Sequence, residues 1–321
     1  MKLNETPIRT SKNFNINNID LDNINIPQIE HDNIKLKYGV GTEITSFKPT
    51  VEFNIDDDRE IVFELNKENP ILVDHINISV ADTASIIIKY VSKEEFEYFH
   101  SGIIKVKAKE NAVINIVIIN FINQISNNFI SIQNEIETNA KVNFTIVDFG
   151  GKNSITNYYS NMKGDSSQNN LNTIYLGKNN QLFDLNYIGH LYGQKSNINI
   201  EVQGALNDNS KKHFKGTIDF KKGSKKSIGN ENESCMLLSN TAKSISLPML
   251  LCSEEDVEGN HSCSAGKIGE KELFYIMSRG FSCKEAMQLM VKAKFNNIIE
   301  KIYNKELQKE ILNEIDNRME I

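Results

Sequence analysis

From about Ile34 to Ala265 the sequence alternates apolar with polar residues, and this period of two restricts the fold more than any other feature. Ile104, Val106 and Ala108 are separated by Lys105, Lys107 and Lys109, and Val142, Phe144 and Ile146 by Asn143 and Thr145. Side chains of an extended chain point to alternate faces, so these stretches are strands with one face in and one out. β-branched residues dominate the apolar positions, as a pleated and half-buried surface favours. Turn chemistry separates the runs at Glu110-Asn111-Ala112, Thr138-Asn139-Ala140 and Gly177-Lys178-Asn179-Asn180. Ala84, Ala112 and Ala140 recur at intervals of 28 residues, each behind two polar residues and two places before an aliphatic one. That interval belongs to solenoids and arrays. With no Trp, 5 Pro and abundant Asn, stacked rungs fit better than a sandwich, because one rung cannot bury its inward face alone. Pattern alone gives a mainly β, repetitive fold and leaves its handedness open.

Past Gly266 the period changes. Glu270 to Gly280 reads as a helix with acids in its first turn, Arg279 in its last and Gly280 as a left-handed stop. Ser282 and Glu285 form a capping box for a second helix, along which Ala286, Leu289, Met290, Ala293, Ile298 and Ile302 make the expected apolar stripe. Asn304 caps a third, with Leu307, Ile311, Leu312 and Ile315 as its apolar face. The expected division is an N-terminal extension (1–33), a β core (34–265) and a helical region (266–321). The helical region either closes the end of the solenoid or offers a docking platform.

Several function classes are disfavoured. A net charge of −6 gives no bulk attraction to nucleic acid or to an anionic membrane. The lysines of 211–215 and 221–226 form a basic patch expected to be a solvated strand edge or loop. Four cysteines without a C-x-x-C pair point to reduced thiols, and the first residues lack the apolar core of a secretory signal. No apolar run approaches the ~18 residues of a membrane helix. A soluble, cytoplasmic protein is expected. There is no phosphate-binding glycine loop, so no nucleotide is expected on this chain, and no nucleophile motif, so no enzyme activity is expected. Glu254-Glu255-Asp256 leaves a carbohydrate-active enzyme as a minor alternative.

One pair of residues carries possible metal chemistry. If 260–264 are extended, His261 and Cys263 share a face, and an imidazole beside a thiol suits iron, zinc or copper(I). The alternative is a packed histidine and an inert cysteine. His31, His75 and His100 read as ordinary, and His190 carries little functional weight.

The segment that follows is more specific. Ile268, Leu273-Phe274-Tyr275, Ser278-Arg279-Gly280 and Glu285-Ala286 resemble the C-terminal signature of the SufB/SufD family of iron–sulfur cluster assembly proteins, which pair with the ABC ATPase SufC. The resemblance is strong from about Lys215 to Ile302 and thins toward the N-terminus. It implies a right-handed parallel β-helix followed by a small helical domain. It further implies a scaffold that holds a transient iron–sulfur cluster at a subunit contact, with a SufB/SufD-type paralogue or a second copy as partner. On it, His261 matches the family histidine and is expected as a ligand, with Cys263 as a same-face accessory. Cys252 is a further metal candidate, if stacking of consecutive rungs brings it near. Leu273, Phe274, Tyr275, Arg279 and Gly280 are expected to build the surface that SufC grips. Ala242, aligned with a reactive cysteine of SufB, and Ser262 after the histidine favour a SufD-like role. A purely structural solenoid is the remaining alternative.

Overall fold

The computed structural model describes residues 2–8, 17–20, 27, 31–38, 42–47 and 49–320, so much of the expected extension 1–33 lies outside the described residues. Two short antiparallel ribbons come first, β1 (Lys2–Leu3) with β2 (Ile19–Asp20) and β3 (His31–Tyr38) with β4 (Thr42–Phe47). The chain then coils into a parallel β-solenoid with two 8-stranded sheets. Odd strands form one sheet: β5 (Val51–Ile55), β7 (Ile71–Val80), β9 (Phe99–Ala108), β11 (Asn127–Ile136), β13 (Asn153–Met162), β15 (Leu182–Leu191), β17 (Lys211–Phe220) and β19 (Lys243–Cys252). Even strands form the other: β6 (Arg59–Leu65), β8 (Thr83–Ser92), β10 (Val113–Phe121), β12 (Lys141–Asp148), β14 (Gln168–Gly177), β16 (Asn197–Leu206), β18 (Ser227–Leu237) and β20 (Val257–Lys267).

Alternation fills the interior. Ile86, Ile88, Ile116, Ile118, Phe144 and Ile146 project inward and are buried. Phe144, Tyr158, Tyr187 and Phe214 stack edge to face, with centroids 5.2, 6.0 and 5.8 Å apart. The repeated turns stack as well. Asn111, Asn139, Ser166 and Lys195 all adopt positive φ, and each donates its N–H to a carbonyl one rung on, at 2.8–3.0 Å. Asparagine suits the first two, because its side chain tolerates the left-handed region better than most. The small residue after each turn makes a buried column of Ala112, Ala140, Ser167, Ser196 and Ser227. Ala84 is not in this column. It pairs with Ile114, because Val113 aligns with Thr83 on one side and Lys141 on the other, so the earlier rung is two residues longer than the alanine spacing suggests.

Outside, six asparagines bridge successive rungs of the even sheet. Asn143 donates to Asn115, Asn170 to Asn143, Asn199 to Asn170, Asn230 to Asn199 and Asn260 to Asn230, at 2.9–3.1 Å. On the odd sheet, Ile19 covers an apolar strip of Val73, Phe99, Phe129 and Ile155. Asn4 donates to the Asp184 carboxylate at 2.7 Å, and its carbonyl accepts from Lys215.

Three helices follow: α1 (Glu270–Ser278), α2 (Cys283–Ile299) and α3 (Lys305–Met319). The expected caps form: Gly280 has φ 99°, Ser282 and Glu285 make the capping box, and Asn304 accepts from two N–H groups of α3. The helices do not close the solenoid. α2 and α3 lie across the outer face of the even sheet, where Val291, Phe295, Ile298, Ile311 and Ile315 pack on Ile87, Val117, Ile119, Val147, Ile174 and Ala205. The buried stripe of α2 is therefore Ala286, Val291, Phe295, Ile298 and Ile299, and Leu289, expected within it, is exposed. Polar anchors hold the helices down. Lys89 pairs with Glu310 at 2.7 Å, Lys301 donates to Asn172 at 2.7 Å, and Arg318 donates to the Phe149 carbonyl. No helix among the described residues is long and apolar enough to cross a membrane.

Candidate functional site

Because α2 and α3 fold to the side, the last rung stays open. β19 and β20 each have a hydrogen-bonded neighbour on one side only, β17 and β18 respectively. In β20, His261 aligns with Glu231 of β18 and Cys263 with Glu233, one rung below. Glu231, Glu233 and Cys235 point inward, as their burial and two-residue steps require. His261 and Cys263 therefore share the inward face, as the alternation predicts. His261 is exposed because no rung lies above it, while Cys263 is half-buried against the core.

Cys252 is held apart from them. Leu250 packs across the interior against Gly259, which puts Pro248 opposite His261 and leaves Cys252 at the corner opposite Val257. It stacks on Phe220 and is exposed. Among the described residues, no group of three or more His, Cys, Asp or Glu side chains is placed to hold a metal ion. Cys252, His261 and Cys263 as they stand thus form no complete ligand set within one chain.

Beneath this pair lies a polar interior that the sequence reading missed. Lys212, expected in a solvated basic patch, is fully buried and pairs with Glu233 at 2.8 Å. Tyr175 donates to Glu233 at 3.1 Å; Ser246 donates to it at 2.9 Å and accepts from Lys212 at 2.8 Å. Lys215, from the same patch, is buried on the opposite face and pairs with Asp184 at 2.7 Å. Lys212, Lys215 and the half-buried Lys221, which pairs with Asp219, therefore neutralise buried carboxylates, and the other lysines of the patch remain solvated. Cys235 lies beside this cluster, its thiol raised chiefly by burial. Burial, with Glu231 and Glu233 close by, pushes the Cys263 thiol up to about 12. At neutral pH Cys263 is a protonated thiol, and a metal ion would have to displace that proton to bind there. A signal for this region was present in Ser227-Ile228-Gly229-Asn230-Glu231-Asn232-Glu233-Ser234-Cys235, where the inward positions stop being apolar.

Directly after β20, α1 presents an exposed apolar surface. None of its residues is buried; Phe274 is 72% exposed and Tyr275 59%. Leu273 and Ile276 are half-buried and face the body of the protein. Arg279 braces the tyrosine, donating to its hydroxyl at 2.9 Å with the guanidinium 5.1 Å from the ring centre. Met277 and Phe281 widen the apolar surface.

The family description "SUF system FeS cluster assembly, SufBD core domain" matches residues 63–294, which span both the solenoid and α1. The chain belongs to the SufBD family. Among similar proteins, the iron–sulfur cluster assembly protein SufD of Bacillus subtilis (strain 168) is 22% identical over 180 residues, covering 56% of this chain and 41% of its own length. SufD of Escherichia coli (strain K12) is 21% identical over 246 residues, 76% of this chain and 58% of its own. The SufBD family protein PH1385 of Pyrococcus horikoshii is 34% identical over 157 residues, 48% of this chain and 34% of its own. This SufBD chain thus spans between about a third and three fifths of these relatives.

Proposed function

We propose that this SufBD-family chain is a non-enzymatic scaffold for iron–sulfur cluster assembly, holding nascent cluster components where its open last rung meets a second SufB/SufD-type chain. The observation that carries the reading is the adjacency of two unpartnered features. β20 presents His261 and Cys263 on an open inward face, and the helix immediately after it exposes Phe274 and Tyr275. An unpaired strand edge is a template for another chain, and a second chain can complete a ligand set that one chain leaves unfinished. Thiolate sulfur is the usual cluster ligand, with His as its replacement in some centres. In this reading His261 is a ligand and Cys263 an accessory, and iron and sulfide are cargo. Cys252, at the corner, serves only if the partner brings a donor to it.

Exposed aromatics braced by an arginine suit a protein contact, since such residues dominate binding energy at interfaces. The occupant proposed for α1 is a SufC-like ABC ATPase in the cytoplasm, whose nucleotide-driven dimerisation moves two scaffold chains against each other. Arg279 and Gly280 shape that surface, and Leu273 seats it. The test is co-purification of the chain with a SufC-like ATPase, followed by anaerobic quantification of iron and sulfide. The expected result is a stable complex that accumulates both; Phe274→Ala with Tyr275→Ala abolishes the complex, and His261→Ala keeps the complex but loses the iron. A complex whose iron and sulfide content is indifferent to His261→Ala overturns the ligand assignment.

A further inference from the structure

Six carboxylates among the described residues are buried: Asp74, Asp148, Asp184, Asp219, Glu231 and Glu233. Five have partners. Asp74 accepts from Tyr90 and contacts His100, Asp148 accepts from Ser154 and Asn120, Asp184 pairs with Lys215, Asp219 with His190 and Lys221, and Glu233 with Lys212. Glu231 is different. It is 2% exposed, and both of its carboxylate oxygens lack a hydrogen-bond partner. Its side chain crosses the interior to Gly216, where a Cβ atom would lie 2.2–2.3 Å from the carboxylate atoms. The slot exists because position 216 has no side chain.

An acid held this way costs stability, since a buried polar group without a partner loses its water and gains nothing. Its location gives a reason for the cost. Glu231 lies in the rung just beneath the open end, in register with His261. In-register side chains on neighbouring strands are spaced about 4.8 Å apart, and an ion about 2.1 Å from each donor fits between two such groups. β20 has a hydrogen-bonded neighbour on one side only, so an ion can reach this position from the open end.

We propose that Glu231 and His261 form a two-donor seat for a divalent metal ion, with iron(II) as the ion it serves. The inference rests on the scaffold reading for the identity of the metal. A carboxylate paired with an imidazole suits a borderline divalent ion better than magnesium or calcium. The buried acid is the fixed donor, and the exposed histidine admits the ion.

The test is anaerobic titration of the full chain with iron(II) by calorimetry, and with cobalt(II) by absorption, on wild type, Glu231→Gln, Glu231→Met and His261→Ala. Wild type is expected to take up one ion per chain with a cobalt–imidazole spectrum, and both Glu231 variants to bind at least tenfold more weakly. Their melting temperatures should equal or exceed that of wild type, which separates lost binding from lost fold. The seat is refuted if wild type binds neither ion, or if the Glu231 variants bind as wild type does. If the seat fails this way while His261→Ala still blocks iron accumulation in the ATPase complex, the scaffold reading stands without it. If His261→Ala also leaves that accumulation unchanged, both fall.

Discussion

The buried pair of Lys212 and Glu233 allows a quantitative test of how the last rungs hold together. Lys212→Met keeps most of the side-chain volume but removes the ammonium, leaving Glu233 with only the Tyr175 and Ser246 hydroxyls as donors. Removing one partner of a buried ion pair costs about 3–5 kcal/mol, most of it the penalty of stranding the other charge. Replacing both partners with apolar groups of similar size is nearly neutral, so Lys212→Met with Glu233→Met should regain most of the loss. A solenoid is close to a one-dimensional array, and each rung depends chiefly on its neighbours. Global melting would blur the effect, whereas hydrogen exchange resolves local opening. At about 4 kcal/mol the single variant should lose protection in β17–β20 by roughly 10³-fold, while β8–β12 stay within tenfold of wild type. Unchanged protection in β17–β20, or a double variant no better protected than the single one, would falsify the view that this pair is held by mutual neutralisation.

Other outcomes follow from the same geometry. Asn170→Ala removes one bond to Asn143 and one from Asn199, and at about 0.5–1.5 kcal/mol for each half-buried bond it should cost roughly 1–3 kcal/mol, measurable by exchange in β12–β16. Burial raises the Asp148 carboxyl to about 6. The folded state therefore keeps a proton that the unfolded chain releases near pH 4, and stability from this group falls as pH rises from about 4 to 6, by at most about 3 kcal/mol. Asp148→Asn should flatten that part of the denaturation profile, and an unchanged pH slope would count against the assignment. With Cys263 held near 12, only about one thiol in 10⁴ is ionised there at pH 8. Mass spectrometry should find the exposed Cys252 and Cys283 alkylated by iodoacetamide well before Cys263, and equal rates would contradict the burial described.

Much of this architecture was legible before any coordinates. Alternation gave strands, the asparagine turns gave rungs, and the signature of α1 gave the family. The errors share a physical cause: a sequence period reports which side chains share a face, and not what covers that face. Val117, Ile119, Val147 and Ile174 point outward, and they are apolar because α2 and α3 lie on them. The near-continuous run of apolar residues from Val113 to Ile119 was the available sign of a strand buried on both faces. The stripe of α2 was misplaced for the same reason, since Leu289 fits the spacing but faces solvent. Lys212 and Lys215 read as surface charge because their carboxylate partners, Glu233 and Asp184, lie 21 and 31 residues away in sequence. Glu231 was visible only as a polar letter where the alternation calls for an apolar one. That it reaches Gly216 depends on the packing of two strands across the interior.

The sideways lie of α2 and α3 has a mechanical consequence. These helices span β8, β10, β12, β14 and β16, cross-linked to them by apolar contact and by Lys89, Lys301 and Arg318. A load applied at α1 therefore enters β20, to which α1 is joined directly, and is also carried through α2 and α3 into five further rungs. The handle and the open end bearing His261 are thus neighbours, and the rungs far from them, β6 and β8, lie at the other end of the coil.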